Sequence, residues 1–87
     1  MTINIYDLKK KLTYRSNYRG TKEMDILLGA FTKKYIDILS HTKLIELDEM
    51  LNLDDENLFK INQGQETTIK IKQESVLSLF KSFTYKK

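Results

Sequence analysis

The sequence predicts an all-α fold, a single small five-helix bundle in which residues 1–87 form one domain. Along most of the chain, apolar residues recur at steps of three and four, as they do on the buried face of a helix. The chain contains no proline, a residue that would interrupt such helices. With 40% hydrophobic and 31% charged residues, it is too apolar for a disordered chain and long enough for one modest core.

The first two helices carry the most regular patterns. The first is predicted over about 5–16 with Asn4 as its N-cap, and its apolar stripe is Ile5, Leu8 and Leu12. Thr21 is the expected N-cap of the second helix, and Gly29 inside that helix indicates close packing against another backbone. The apolar face of the second helix is the longest in the chain: Met24, Leu27, Leu28, Phe31, Tyr35, Ile38 and Leu39. The second helix is therefore expected at the centre of the core.

The third helix is predicted over about 43–52, with Thr42 as its cap and His41 in the preceding loop. Leu44, Leu47 and Leu51 are expected to face the core. Glu46, Asp48 and Glu49 fall on the other side, where groups of acids on a helix are usually exposed to solvent. No catalytic role is assigned to these three acids.

Asp54 or Asp55 is the expected cap of a fourth helix, which buries Leu58 and Phe59 and ends at Gly64. A fifth helix is predicted over about 68–83 from the spacing of its apolar residues. The start of this helix is ambiguous, because β-branched residues at 67–71 are equally typical of an extended segment. Residues 84–87 are predicted to fray.

Positive charge is concentrated at the two ends of the sequence. Residues 1–22 carry a net charge of +5, residues 23–66 carry −6, and residues 67–87 carry +4. Basic ends are typical of proteins that bind nucleic acid, so an alternative function is a small basic nucleic-acid-binding or toxin-antitoxin-type regulator that binds through Lys9, Lys10 and Lys11. The acidic middle argues against it, and the aromatic residues do not alternate with the basic ones.

Residue patterns for catalysis and metal binding are absent from the sequence. It has no cysteine, its one histidine has no recognisable catalytic partners, and it has no phosphate-binding glycine loop, so neither a Cys-His nor a Ser-His-Asp arrangement is indicated. No apolar run approaches the length of a bilayer span, and the N-terminus lacks the pattern of a signal or transit peptide. The expectation is a non-enzyme of the bacterial cytoplasm, monomeric when alone, with no metal, membrane or nucleic acid as its partner.

Candidate binding residues gather at the corner between the first two helices. Gly20 allows a sharp turn there, and Arg19 is expected to stay exposed beside it. Glu23 and Asp25 fall in the first turn of the next helix, where the helix dipole favours carboxylates. Capping explains these acids as well as binding does. An arginine and two acids at one exposed corner would also suit charge-assisted hydrogen bonds to a partner protein.

The stretch 14–31, Y-R-S-N-Y-R-G-T-K-E-M-D-I-L-L-G-A-F, resembles the R-G-x-x-E signature of the SdhE family. Members of that family are small succinate dehydrogenase assembly factors that promote covalent attachment of FAD to the flavoprotein subunit. Residues 54–59, D-D-E-N-L-F, resemble the family's D-D-x-x-L-F segment. The chain departs from the family at Glu56, where proline is common, and at Ile61, where tryptophan is common. One residue is also added between Tyr35 and Ser40.

The resemblance implies a five-helix fold and a partner, the flavoprotein subunit of succinate dehydrogenase or a fumarate reductase homologue. It also implies that FAD is held by this partner and that the chain stably binds no cofactor. On the matching positions, Arg19 and Glu23 would anchor the partner, Gly20 would let the two backbones approach, and Arg15 and Asp25 would support the corner. Such a helper would act by stabilising a partner conformation in which the reacting groups are aligned.

Overall fold

The computed structural model describes residues 4–84, and within this range the chain forms five helices and no strand. The helices are α1 (Ile5–Asn17), α2 (Lys22–Tyr35), α3 (His41–Met50), α4 (Asp55–Asn62) and α5 (Val76–Ser82). The predicted all-α bundle is confirmed. Except for Thr84, the tail predicted to fray lies outside the described residues.

One apolar core joins all five helices. Phe31 of α2 is fully buried, and its ring packs against those of Tyr35, Phe80 and Phe83 with centroids 5.0 to 5.3 Å apart. The other buried apolar residues are Leu8, Leu12, Met24, Leu28, Leu44, Leu47, Met50, Leu51, Leu58, Ile61, Val76 and Phe80. Phe31 therefore connects α2 to the C-terminal part of the chain.

Helices α1 and α2 begin where the sequence predicted. The Asn4 side chain accepts a hydrogen bond from the amide of Tyr6 at 2.9 Å, and that of Thr21 accepts one from the amide of Met24 at 3.4 Å. The end of α1 lies against the middle of α2. Gly29 there faces the side chain of Asn17, and not another backbone as predicted. The absent Cβ makes room for that side chain.

Two helix boundaries differ from the prediction. Helix α2 ends at Tyr35, and Ile38 lies in the following turn with 72% of its surface exposed, so its predicted place in the core is wrong. Helix α3 begins earlier than predicted, because the side chain of Ser40 and not that of Thr42 caps it, by accepting a hydrogen bond from the amide of Lys43. His41 is consequently in the first turn of α3 and not in a loop.

Helix α5 is much shorter than the 16 residues predicted over 68–83, because it starts at Val76 after a non-helical segment over 63–75. Ile69 and Ile71 of that segment pack partly buried against the core. Their β-branched side chains suit such an extended stretch better than a helix. Ser75 then caps α5 by accepting a hydrogen bond from the amide of Ser78 at 3.1 Å.

Glu46 attaches α3 to the N-terminus of α5. Its carboxylate accepts a hydrogen bond from the amide of Val76 at 3.2 Å and lies 3.1 Å from Nζ of Lys43. Burial raises the pKa of the Glu46 carboxyl, but these two hydrogen bonds and the charges of Lys43 and Lys72 together outweigh it, so the pKa lies below its ordinary value. The prediction that Glu46 simply faces solvent is wrong.

Acid should weaken this attachment. Because the pKa of Glu46 is lowered in the folded state, its contribution to stability is complete above the unfolded glutamate pKa of about 4.3 and is lost as pH falls through the lower folded value. Glu46→Gln should therefore reduce the free energy of unfolding by less than about 1 kcal/mol near neutral pH, and by still less near pH 3. Urea unfolding followed by circular dichroism measures this, with the exposed Glu49→Gln as control. Equal losses at both pH values would contradict it.

Candidate functional site

The turn between α1 and α2, residues 18–21, forms the predicted corner. Gly20 has a φ of +114°, a backbone angle that residues with a side chain rarely adopt. It is exposed, and no atom lies within 4 Å of the position that a Cβ would occupy. The turn therefore requires glycine for its backbone, and the surface above Gly20 is open to the approach of another molecule.

Arg19 points into the protein, and only 12% of its side chain is exposed. Its Nη1 and Nη2 donate hydrogen bonds to the carbonyl oxygens of Leu51 and Leu53, each at 2.6 Å, and its Nε donates to Asp55 at 3.0 Å. The carbonyl groups belong to the end of α3 and the turn before α4, where helix geometry leaves acceptors without partners. The expectation that Arg19 stays exposed is wrong, because its planar fork of donors fits these internal acceptors.

Asp25 and Arg15 also make contacts within the protein. The carboxylate of Asp25 accepts a hydrogen bond from the backbone amide of Arg19, which fixes the turn against α2. Arg15 donates from Nη1 to Oδ1 of Asp48 at 2.5 Å and from Nη2 to Asn52 at 2.7 Å. Asp48 was predicted to face solvent, and this is wrong because it is partly buried and pairs α3 with α1.

The structure divides the five predicted site residues into two groups. Arg15, Arg19 and Asp25 hold the corner to the rest of the protein, whereas Gly20 and Glu23 lie on its surface. Within residues 4–84, the exposed carboxylate of Glu23 makes no ion pair. Among the predicted acids of the corner, Glu23 is thus the one available to a partner.

Glu23 borders a cleft between α2, α4 and the end of α5. This corner cleft has a volume of about 360 Å³, and its lining consists of Glu23, Met24, Leu27, Phe59, Asn62, Gln63, Phe83 and Thr84. Asn62 shapes one wall, because its amide donates to the carbonyl oxygens of Phe80 and Phe83 at 2.9 and 2.8 Å. The cleft therefore places one carboxylate beside an apolar surface.

Phe59 is the residue of this site that the sequence reasoning missed. It was predicted to be buried, but it is 47% exposed in the corner cleft. Successive helix residues are about 100° apart, so the burial of Leu58 and Ile61 turns Phe59 towards the surface. The three-residue spacing between Leu58 and Ile61 was the signal that could have placed Phe59 outside the core.

A family model described as "Flavinator of succinate dehydrogenase" matches residues 10–84, which is most of the chain. The chain belongs to this family. This is the family that the R-G-x-x-E resemblance of the corner indicated, and the corner and its cleft lie within the matched range. No solved structure matches the chain significantly.

The flavinator family includes curated relatives from animals, yeasts and bacteria. The chain is 31% identical over 78 residues to succinate dehydrogenase assembly factor 2, mitochondrial, of Danio rerio, a match covering 87% of this chain and 49% of the relative. It is 41% identical over 51 residues to the protein of the same name from Meyerozyma guilliermondii, a match covering 59% of this chain and 38% of the relative. The chain is 33% identical over 55 residues to FAD assembly factor SdhE of Acetobacter pasteurianus, a match covering 63% of this chain and 50% of the relative. The chain therefore spans half or less of the length of these three relatives.

These relatives are named as assembly factors, and their names give no support to the nucleic-acid-binding alternative. Within residues 4–84, no three histidine, aspartate or glutamate side chains come close enough to hold a metal ion. The same part of the chain contains no helix with the length and apolar character needed to cross a membrane.

Proposed function

We propose that the chain binds the flavoprotein subunit of succinate dehydrogenase and promotes the covalent attachment of FAD to it. Family membership and the names of the relatives support this function. The observation that carries it is the exposed Glu23 carboxylate, without an ion pair among the described residues, beside the half-exposed ring of Phe59. Aromatic side chains are enriched in protein interfaces, and charged groups around them add specificity for the partner.

Each corner residue has a different part in this proposal. Glu23 accepts charge-assisted hydrogen bonds from a basic group of the partner, and Phe59 is covered by an apolar group. Gly20 permits a close approach of the partner's backbone, since nothing lies above it. The internal hydrogen bonds of Arg15, Arg19 and Asp25 stabilise the conformation of this surface. In this proposal Arg19 positions the site and does not contact the partner. Glu23 keeps the anchoring role that the family resemblance implies, and Phe59 is a second anchor.

In this proposal the flavoprotein and its FAD carry out the covalent attachment themselves. The chain contributes only binding energy, by preferring a conformation of the flavoprotein in which the flavin and the residue that it will modify are aligned. Alignment alone can account for several kcal/mol of an activation barrier. FAD is held by the partner and not stably by this chain. The fumarate reductase homologue as a second partner, the monomeric state and the bacterial cytoplasm stay predictions.

Glu23→Gln should weaken binding to the flavoprotein subunit about tenfold, because an amide cannot supply the charge of the carboxylate. The purified apo flavoprotein subunit is mixed with FAD and either the wild type or the variant. Covalent flavin fluorescence on a denaturing gel then measures the rate of attachment, and calorimetric titration measures the dissociation constant.

Glu66→Gln is the matched control, since Glu66 is also exposed but lies outside the corner cleft. It should behave as the wild type does. If the wild type binds without accelerating attachment, the proposed mechanism is wrong, although the flavoprotein subunit is still the partner. If the wild type does not bind, the proposed function is wrong.

A further inference from the structure

Two tyrosines of α1 and a third at its C-cap form an exposed stripe that points away from the core. Tyr6, Tyr14 and Tyr18 are 62%, 67% and 69% exposed, and their spacing of eight and four residues places them on one side of the helix. The rings of Tyr14 and Tyr18 contact each other, with centroids 4.7 Å apart. Lys10 lies between them and Tyr6, with its Nζ 4.5 Å from the centroid of the Tyr6 ring.

This stripe borders a groove between α1 and the end of α2. The tyrosine groove has a volume of about 820 Å³, and its lining is Tyr6, Lys9, Lys10, Thr13, Tyr14, Asn17, Tyr18, Ile36 and Asp37. The core packing of α1 uses Leu8, Leu12 and Ser16, so it does not require these rings. Exposed aromatic clusters are unusual on a surface that only meets water, whereas tyrosine is enriched where proteins bind each other.

The charges of the groove indicate what it would bind. Against the single acid Asp7, α1 carries four basic residues: Lys9, Lys10, Lys11 and Arg15. Lys11 and Arg15 form ion pairs with Asp48 on the side of α1 that faces α3. On the groove side, Lys9 has only a long contact of 3.4 Å with the highly exposed Asp37, and Lys10 has no acidic partner within residues 4–84. Exposed pairs of this kind contribute little, so the groove keeps a positive character.

We propose that the tyrosine groove is a second docking surface, occupied by an acidic segment of the partner protein. Lysine ammonium groups and tyrosine hydroxyls donate hydrogen bonds to carboxylates, while the tyrosine rings cover apolar parts of the segment. Residues 6 and 18 are about 18 Å apart along the helix axis, so roughly six extended residues of the segment would span the stripe. Tyr18 adjoins the corner, and one partner can therefore contact both surfaces. The inference rests on the proposed function for the identity of that partner.

The test compares dissociation constants for the apo flavoprotein subunit by calorimetric titration. Lys10→Glu and the double variant Tyr14→Ser/Tyr18→Ser should each weaken binding about tenfold or more, and the effect of Lys10→Glu should shrink as salt is added. Lys81→Glu makes the same charge change on α5, outside the groove, and Ile45→Ser removes an exposed apolar side chain from α3. Both controls should bind as the wild type does. Because all these side chains are exposed, circular dichroism should show unchanged helix content.

If the wild type binds the flavoprotein and the groove variants bind equally well, the groove is not a docking surface for this partner. If Lys10→Glu weakens binding no more than Lys81→Glu, the acidic occupant is wrong. Tyrosine-dependent binding to anionic lipid vesicles or tyrosine-dependent dimerisation of the chain, each without a change in partner affinity, would overturn the inference in favour of those occupants. Failure of the wild type itself to bind would overturn the proposed function, and this inference with it.

Discussion

Replacing Arg19 with methionine should lower the free energy of unfolding by about 3 kcal/mol. Methionine keeps the apolar stem but removes the donors to Leu51, Leu53 and Asp55. Two backbone acceptors and one carboxylate would then lie partly buried without their partner, and each such loss costs about 1 to 3 kcal/mol before the structure relaxes. For a domain of this size, with a total stability of roughly 5 to 10 kcal/mol, this is a large fraction.

Urea unfolding followed by circular dichroism measures the effect of Arg19→Met. Lys22→Met is the matched control, because Lys22 is exposed and makes no ion pair within the described residues. It should change stability by less than about 0.5 kcal/mol. The loss of stability in Arg19→Lys should lie between those of the two methionine variants. Lysine keeps the charge but lacks the planar guanidinium that reaches three acceptors at once. A stability of Arg19→Met equal to that of Lys22→Met would show that the inward contacts are not formed in solution.

Binding of Arg19→Lys to the flavoprotein subunit distinguishes a positioning role of Arg19 from the direct contact that the family resemblance implies. If Arg19 only positions the corner, the folded fraction of Arg19→Lys should bind the flavoprotein subunit with nearly the affinity of the wild type. If Arg19 contacts the partner directly, affinity should fall even where the variant is fully folded. Titration at low temperature, with the folded fraction measured by circular dichroism, distinguishes these outcomes.

Local interactions explain which parts of the fold the sequence predicted well. The caps Asn4 and Thr21 were predictable because each side chain bonds an amide only two or three residues ahead. The buried face of α2 from Met24 to Phe31 follows directly from the helical period. The start of α5 was ambiguous in the sequence, because its β-branched residues suit an extended segment as well as a helix. In the structure Ile69 and Ile71 pack against the core, and the segment before Val76 is not helical.

The corner was predictable as a turn but not as a set of exposed groups. The sequence correctly indicated a sharp turn at Gly20 between the first two helices. The acceptors that turn Arg19 inward are 32 to 36 residues away, and no local spacing indicates them. The same limitation applies to Arg15 and Asp48, which are 33 residues apart. Whether a charged residue faces a partner or the protein itself depends on such distant contacts.

Phe31→Ala should lower the free energy of unfolding by about 3 to 5 kcal/mol, the largest effect expected for any single substitution discussed. Phe31 is fully buried, and its ring joins α2 to the rings of Phe80 and Phe83. The cavity left by its removal would be enclosed by rigid aromatic neighbours, which limits relaxation. Because Phe83 lines the corner cleft, loosening this cluster should also weaken binding of the flavoprotein subunit.

Phe59→Ala makes the same chemical change at a half-exposed position and is therefore the matched control. It should change stability by less than about 1 kcal/mol, yet weaken binding to the flavoprotein subunit if Phe59 is an anchor of the interface. Urea unfolding and calorimetric titration of both variants separate the two effects. Equal losses of stability in Phe31→Ala and Phe59→Ala would mean that Phe59 belongs to the core, and the corner cleft would then lose its proposed anchor.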